Sequence, residues 1–104
     1  MIIYEVNLDI KPDIVMEFND WLDGHIEEML EFEGFESARK LNTVEEDTHF
    51  LTVQYFIKSQ EDLDRYLRNH AEKMREKGKN KFGDHFKAGR RILKTLKIYT
   101  RSGI

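Results

Sequence analysis

Residues 49–58, HFLTVQYFIK, contain the densest run of β-forming side chains in the chain. Apolar and aromatic residues occupy both sets of alternate positions, so we expect a strand with both faces substantially buried. One set consists of Leu51, Val53, Tyr55 and Ile57, and the other of Phe50, Thr52, Gln54 and Phe56.

Two strands and a helix are predicted before this run. Residues 2–10 alternate between apolar and polar side chains, which is the pattern of a strand with one apolar face. A helix is predicted from Pro12 to about Glu31, because proline suits the first turn and Gly34 tolerates the geometry of a helix end. Residues 35–44 predict a half-exposed strand, and residues 45–48, EEDT, a polar hairpin connection.

One helix and one strand are predicted after it. Residues 59–62, SQED, resemble a capping box and start a second helix that we expect to end at Gly78. A last strand is predicted over residues 86–99, with Phe86, Ile92, Leu93, Leu96 and Ile98 as its apolar side chains.

The resulting order βαββαβ is that of a ferredoxin-like α+β fold, with two helices on one face of a four-stranded antiparallel sheet. We expect a single domain over residues 1–104, because a chain of this length holds one hydrophobic core.

The composition limits the class of protein. There is no cysteine, which excludes disulfides, thiolate metal sites and a cysteine nucleophile. The first ten residues lack the pattern of a signal peptide and no apolar run could span a membrane, so a cytoplasmic location without membrane contact is expected.

Charge is unevenly distributed along the chain. Residues 1–72 hold 6 Lys/Arg against 18 Asp/Glu, and residues 73–101 hold 11 against 2. The acidic and basic surfaces either complement each other within the fold or across a dimer, or provide a basic rim for an anionic ligand. Nucleic-acid binding is not expected, because the lysine-rich stretch of residues 73–81 is broken by Gly78 and carries no known reader motif.

The sheet face opposite the helices is predicted to be bare. It would carry Ile3, Phe50, Thr52 and Phe56 among Glu5, Asn7 and Gln54. A patch of that size on a small protein indicates an interaction surface, and two-fold pairing is the commonest way to cover it. We therefore predict a homodimer through the sheet face, in which the two amides hydrogen-bond to Glu5 or to an arginine of the last strand.

Two histidines are candidates for catalysis. His25 lies between Trp21 and Met29 on the apolar face of the first helix, and His70 lies between Tyr66 and Met74 on that of the second. Both are expected to point into the space between helices and sheet, where a neutral imidazole could act as a general base. The alternative is a pair of core histidines whose ring nitrogens are satisfied by structural hydrogen bonds.

Candidate ligand-binding side chains surround the same space. Tyr4, Tyr55 and Tyr66 would supply hydroxyl groups beside aromatic walls, and Trp21 either forms such a wall or only packs in the core. Arg90 and Arg91 lie on opposite sides of the last strand, so one of them could clamp a carboxylate or pair with Glu5. Arg90 is included in the candidate site.

No metal or cofactor is predicted. His25 and Glu28 could both touch a metal ion, but the chain has no H-E-x-x-H motif and nothing brings a further ligand to them. Phosphate-binding glycine loops and the G-x-S-x-G motif of serine hydrolases are also absent.

Several blocks of sequence resemble one family. They are residues 1–7, Trp21-Leu22 followed by His25-Ile26, residues 53–56, Tyr66 with His70-Ala71, and residues 82–84 with Phe86. In this order they resemble a bacterial family of unassigned function in the dimeric α+β barrel superfamily, which also contains antibiotic-biosynthesis monooxygenases. The family usually has proline after the His-Ile pair, where this chain has Glu27.

The resemblance implies the fold and the homodimer but no activity. In the monooxygenase branch, similar pockets bind polycyclic phenols and oxidise them without metal or flavin, which would make His25 or His70 the base. Other members of the superfamily bind haem or act as stress-response binding proteins.

Three functions therefore remain open. The first is a small dimeric protein that binds an aromatic or apolar molecule between helices and sheet. The second is a non-catalytic interaction or scaffold domain, and the third is a cofactor-independent oxygenase.

Overall fold

A computed structural model describes residues 1–44 and 49–102. The predicted order of elements is confirmed, except that the second helix is divided in two. The elements are strand β1 (Ile2–Ile10), a 3₁₀ turn (Pro12–Ile14), helix α1 (Val15–Met29), strands β2 (Phe35–Asn42) and β3 (Phe50–Ile57), helices α2 (Gln60–Asn69) and α3 (Ala71–Phe82), and strand β4 (Phe86–Lys94). The strands form one antiparallel sheet in the order β2-β3-β1-β4, so the fold is ferredoxin-like α+β. The predicted hairpin connection at 45–48 lies outside the described residues.

The alternating side chains of β1 separate the two faces of the sheet. Tyr4 is opposite Tyr55 of β3, and both are buried on the face that carries the helices. Glu5 is opposite Gln54 of β3 and Arg91 of β4, on the other face. The core therefore lies between the sheet and the helices, and its largest fully buried side chains are Phe18, Ile10, Ile57, Leu63 and Val53.

The connection from α1 to β2 requires glycine at position 34. Gly34 has φ +86°, and a Cβ atom there would lie 2.3 Å from Cγ of Asp62. Glycine is therefore needed both for the backbone conformation and for the close approach of α2.

The prediction of one continuous second helix ending at Gly78 is wrong. Ser59 caps α2 as predicted, since its Oγ accepts a hydrogen bond from the Asp62 N–H at 3.2 Å. The helix is then interrupted at His70, whose φ of −132° is not helical, and α3 continues beyond Gly78 to Phe82.

The interruption changes which residues of α3 face the core. A continuous helix would place positions 70 and 71 on the side of Leu63 and Tyr66, whereas the interrupted one buries only Ala71 of the two. The buried stripe then continues through Met74 and Gly78. No helix in the described part of the chain is long and apolar enough to cross a membrane.

The last strand is shorter than predicted. β4 ends at Lys94, and the Thr95 N–H donates the last pairing hydrogen bond to the Met1 carbonyl oxygen at 3.1 Å. Residues 96–102 follow β4 outside the sheet and are exposed. Leu96 and Ile98, predicted to belong to this strand, are 91% and 77% exposed.

Candidate functional site

A cavity of about 60 Å³ lies between the helices and the sheet. Its walls are mostly apolar and aromatic, which is typical of sites for small organic molecules. All but one of the candidate site residues line it: Tyr4, Trp21, His25, Tyr55, Tyr66 and Arg90.

Three tyrosines from three elements form one wall. The rings of Tyr4 and Tyr55 are stacked across the β1-β3 pair with their centroids 6.2 Å apart, and Tyr66 of α2 lies 5.9 Å from Tyr4. Burial raises the pKa of Tyr55 and Tyr66 above the ordinary tyrosine value, so both hydroxyls stay protonated near neutral pH. The Tyr66 hydroxyl donates to Sδ of Met29 at 3.4 Å.

His25 and Trp21 form the wall contributed by α1. They are one helical turn apart, and their rings are stacked with centroids 4.6 Å apart and an angle of 18°. Burial lowers the pKa of His25 below 6.5, and the charges of Lys77 and Arg90 lower it further, while Glu28 opposes them. The imidazole is therefore neutral at pH 7, and a neutral ring nitrogen can accept a proton.

Arginines lie at the opening of the cavity. Arg90 of β4 is opposite Val6, on the helix side of the sheet, and lines the cavity. Arg75 of α3 also lines it and donates from Nη2 to the Tyr4 hydroxyl oxygen at 2.9 Å. Both side chains also line an open groove between α3 and β4.

The expected inward position of His70 is wrong. His70 is exposed at the junction of α2 and α3 and does not line the cavity. Its ring stacks on Phe32 with a centroid distance of 4.6 Å. The cause is the helix interruption described above, which places Ala71 in the core and turns position 70 outward.

Two residues of α3 that shape the site were not predicted. In the sequence, Arg75 belongs to the lysine-rich stretch of residues 73–81 and Gly78 marks the predicted helix end. Both fall on the stripe of Ala71 and Met74 at intervals of three and four residues, which is the signal that could have identified them. A Cβ at Gly78 would lie 3.2 Å from Cη2 of Trp21, so glycine lets α3 approach the cavity wall.

The far face of the sheet carries a network of hydrogen bonds around Glu5. Its carboxylate pairs with Arg91 and accepts bonds from Gln54 Nε2 at 2.8 Å and Asn7 Nδ2 at 3.1 Å. This confirms the predicted partners of the two amides. The bonds from Arg91 and Gln54 are the main reason that the pKa of the buried Glu5 carboxyl is lowered to about 2.

Metal ligands do not cluster in the described part of the chain. Within residues 1–44 and 49–102, no group of three or more histidine, aspartate or glutamate side chains could hold a metal ion. Glu28, the acidic neighbour of His25, is paired with Lys77 of α3.

Solved structures with the same fold include proteins of the monooxygenase type. A candidate antibiotic biosynthesis monooxygenase from Deinococcus radiodurans has a TM-score of 0.78 and 8% identity, covering 99% of this chain and 100% of its own. SnoaB from Streptomyces nogalater, a cofactor-independent oxygenase solved as a point mutant, has a TM-score of 0.73 and 9% identity, covering 96% and 98%. At these identities the similarity shows the fold alone.

A third similar structure comes from a conserved protein of Methanosarcina mazei, with a TM-score of 0.68 and 22% identity, covering 89% of this chain and 91% of its own. No curated protein matches the sequence. Residues 1–96, which include every strand, every helix and the cavity between them, match one family throughout. The chain therefore belongs to the family described as domain of unknown function DUF4286.

Proposed function

We propose that this protein binds a small aromatic or apolar molecule in the cavity between its helices and its sheet. The observation that supports this most is the convergence of polar groups on an apolar-walled cavity. The residues that line it include one neutral histidine, three tyrosines and two arginines, contributed by β1, α1, β3, α2, α3 and β4.

The volume of the cavity limits its occupant. A space of about 60 Å³ is smaller than the roughly 150 Å³ of an apolar cavity that holds one benzene ring. A short alkyl group fits this space, and an aromatic ring would require Trp21 or Phe86 to move. Both side chains are half-buried at the edge of the core.

A fragment screen followed by two matched glycine variants tests binding at this site. Trp21 is the only tryptophan of the chain, so its fluorescence reports on the cavity wall. Gly78→Ala would push against Trp21 and Phe86 and is expected to weaken ligands by roughly fivefold or more. Gly24→Ala makes the same change where nothing lies within 4 Å, and should leave affinity unchanged.

Two results would contradict binding in the cavity. The first is a set of fragments that bind both variants and the parent protein equally, without changing Trp21 emission. The second is a screen in which no small aromatic or apolar fragment binds. In that case the interaction-domain function would be preferred, with the polar groups of the cavity acting as structural members of the core.

We further propose that the protein is a homodimer in which the far sheet faces meet. Ile3 is opposite both Phe56 and Leu93, so an apolar cluster extends over β3, β1 and β4 on the face without helices. The segment after β4 carries two further exposed apolar side chains, Leu96 and Ile98. A second copy with two-fold symmetry would cover both surfaces at once.

The dimer is tested by light scattering after gel filtration. Phe56→Asp places a charge in the apolar cluster and should give the mass of a monomer. Met16→Asp is the control, because Met16 is 84% exposed on α1, away from the sheet. A monomeric parent protein, or a Phe56→Asp variant that remains dimeric, would contradict this interface.

A cofactor-independent oxygenase is the second candidate, and the neutral His25 favours it. The imidazole could remove a phenolic proton and leave an electron-rich anion that reacts with oxygen. Oxygen uptake measured with a panel of small quinols tests this, with His25→Gln as the variant that should abolish it. Uptake that is absent, or that is equal in His25→Gln, would exclude this role for His25.

A further inference from the structure

The opening of the cavity is strongly basic. Arg75 and Arg90 line both the cavity and the groove between α3 and β4, and Lys79 and Lys87 line the groove alone. Asp84 is the single acidic residue among the described residues of the groove, and none of those lining the cavity is acidic. A ligand that enters here therefore meets an excess of positive charge.

Arg90 differs from Arg65 and Arg91, which form ion pairs with carboxylates within the fold. Arg91 pairs with Glu5, and Arg65 pairs with Asp62 at 2.8 Å. Over the described ranges, no carboxylate forms an ion pair with Arg90. A guanidinium group without a counter-ion at the edge of an apolar cavity is available to an anion.

The charge of Arg90 acts on the polar groups inside the cavity. It contributes to the lowered pKa of His25, and it opposes the effect of burial on the pKa of Tyr55 and Tyr66. Arg75 likewise acts on Tyr66 and is held by its bond to Tyr4. The two arginines therefore belong to the electrostatics of the cavity as well as to the groove.

We propose that the ligand is a small organic carboxylate, with its apolar part in the cavity and its carboxylate bound by Arg75 and Arg90. This inference rests on the proposed binding function and assigns the charge class of the ligand. The planar guanidinium group of an arginine can donate two parallel hydrogen bonds to the two oxygens of a carboxylate. Because His25 is neutral, the arginines are the positively charged groups that the carboxylate meets at the cavity. The cavity suits the alkyl chain of a small acid, and an acid with one ring would displace Trp21 or Phe86.

Shape-matched acids and amides test the charge assignment. Benzoate with benzamide, and isovalerate with isovaleramide, are titrated against the protein with Trp21 fluorescence and ligand-observed NMR as readouts. Each acid is expected to bind roughly tenfold or more tightly than its amide. Raising the salt concentration should reduce this preference, because the arginines are exposed to solvent.

Glutamine variants then identify the groups responsible. Arg90→Gln and Arg75→Gln should each weaken the acids by about tenfold and leave the amides unchanged. Lys87→Gln is the matched control, because Lys87 lines the groove but not the cavity, and it should change the affinity of the acids by less than about twofold. Circular dichroism of each variant shows that the fold is retained.

The possible failures are distinguishable. Equal binding of acids and amides overturns the charge assignment and leaves binding in the cavity intact. An acid preference that survives in both arginine variants overturns the assignment to Arg75 and Arg90. If none of the four compounds changes Trp21 emission or shows binding in ligand-observed NMR, the proposed binding function fails together with the inference.

Discussion

Replacement of Glu5 by glutamine tests the electrostatics of the far sheet face. Glu5 is 3% exposed and is the one buried charged side chain in the described part of the chain. Its pKa is lowered from 4.5 to about 2, and a difference of about 2.5 units corresponds to about 3 kcal/mol. Because the partner Arg91 is 65% exposed and screened by solvent, we expect Glu5→Gln to reduce the free energy of unfolding at pH 7 by only about 1–2 kcal/mol.

The loss should depend on pH in a defined direction. A carboxyl whose pKa is depressed in the folded state stabilises it above the unfolded pKa, and this contribution disappears as pH falls through the folded value. For Glu5 the window extends from about pH 4.5 down to about pH 2. Near pH 3, less than about half of the difference between the parent protein and the variant should remain.

Urea unfolding followed by Trp21 fluorescence measures both effects. The measurement is made at two protein concentrations, because a dimer interface on this face would make stability concentration-dependent. Glu36→Gln on β2 is the control, since this side chain is exposed and its replacement should change stability by less than about 0.5 kcal/mol. The reasoning is refuted if Glu5→Gln is as stable as Glu36→Gln at pH 7, or if its loss is the same near pH 3.

Three further experiments test the glycine at position 34, the cap of α2 and the environment of His25. Gly34→Ala should destabilise the protein by roughly 2 kcal/mol or more, because of the positive φ and the contact with Asp62. Gly24→Ala in α1 should instead stabilise the protein by about 0.5–1 kcal/mol. Equal effects of the two substitutions in urea unfolding would contradict this. Ser59→Ala removes the cap of α2 and should reduce the free energy of unfolding by about 1 kcal/mol, and an unchanged urea midpoint would argue against the cap. In an NMR pH titration the His25 ring should show a pKa below 6.5, and a value at or above 6.5 would show that burial does not dominate its environment.

Part of the site could be predicted because strand periodicity is a local property. Alternation over residues 2–10 placed Tyr4 and Glu5 on opposite faces, and the same rule applied to residues 49–58 placed Tyr55 with Tyr4 and Gln54 with Glu5. A helical period of 3.6 residues likewise placed Trp21 and His25 on one side of α1. These assignments needed no knowledge of long-range contacts.

The side of a helix that faces the core could not be predicted from periodicity once the helix is interrupted. His70 and Ala71 both fall on the apolar side of a continuous helix, and the non-helical backbone at position 70 leaves only Ala71 buried. Ala71, the first residue of α3, is buried in the core, while the imidazole of His70 stacks on Phe32 at the surface. The prediction for His70 was wrong because it carried the phase of α2 across this point.

By itself the sequence determined the order of elements, the two faces of β1 and the side of α1 that carries His25, since each depends on a repeat within one segment. The tertiary structure decided that Arg90 and not Arg91 lines the cavity, because this depends on the register of β4 against β1. It also decided that β4 ends at Lys94 and leaves Leu96 and Ile98 outside the sheet. Register and strand length are properties of two segments together, and neither segment encodes them alone.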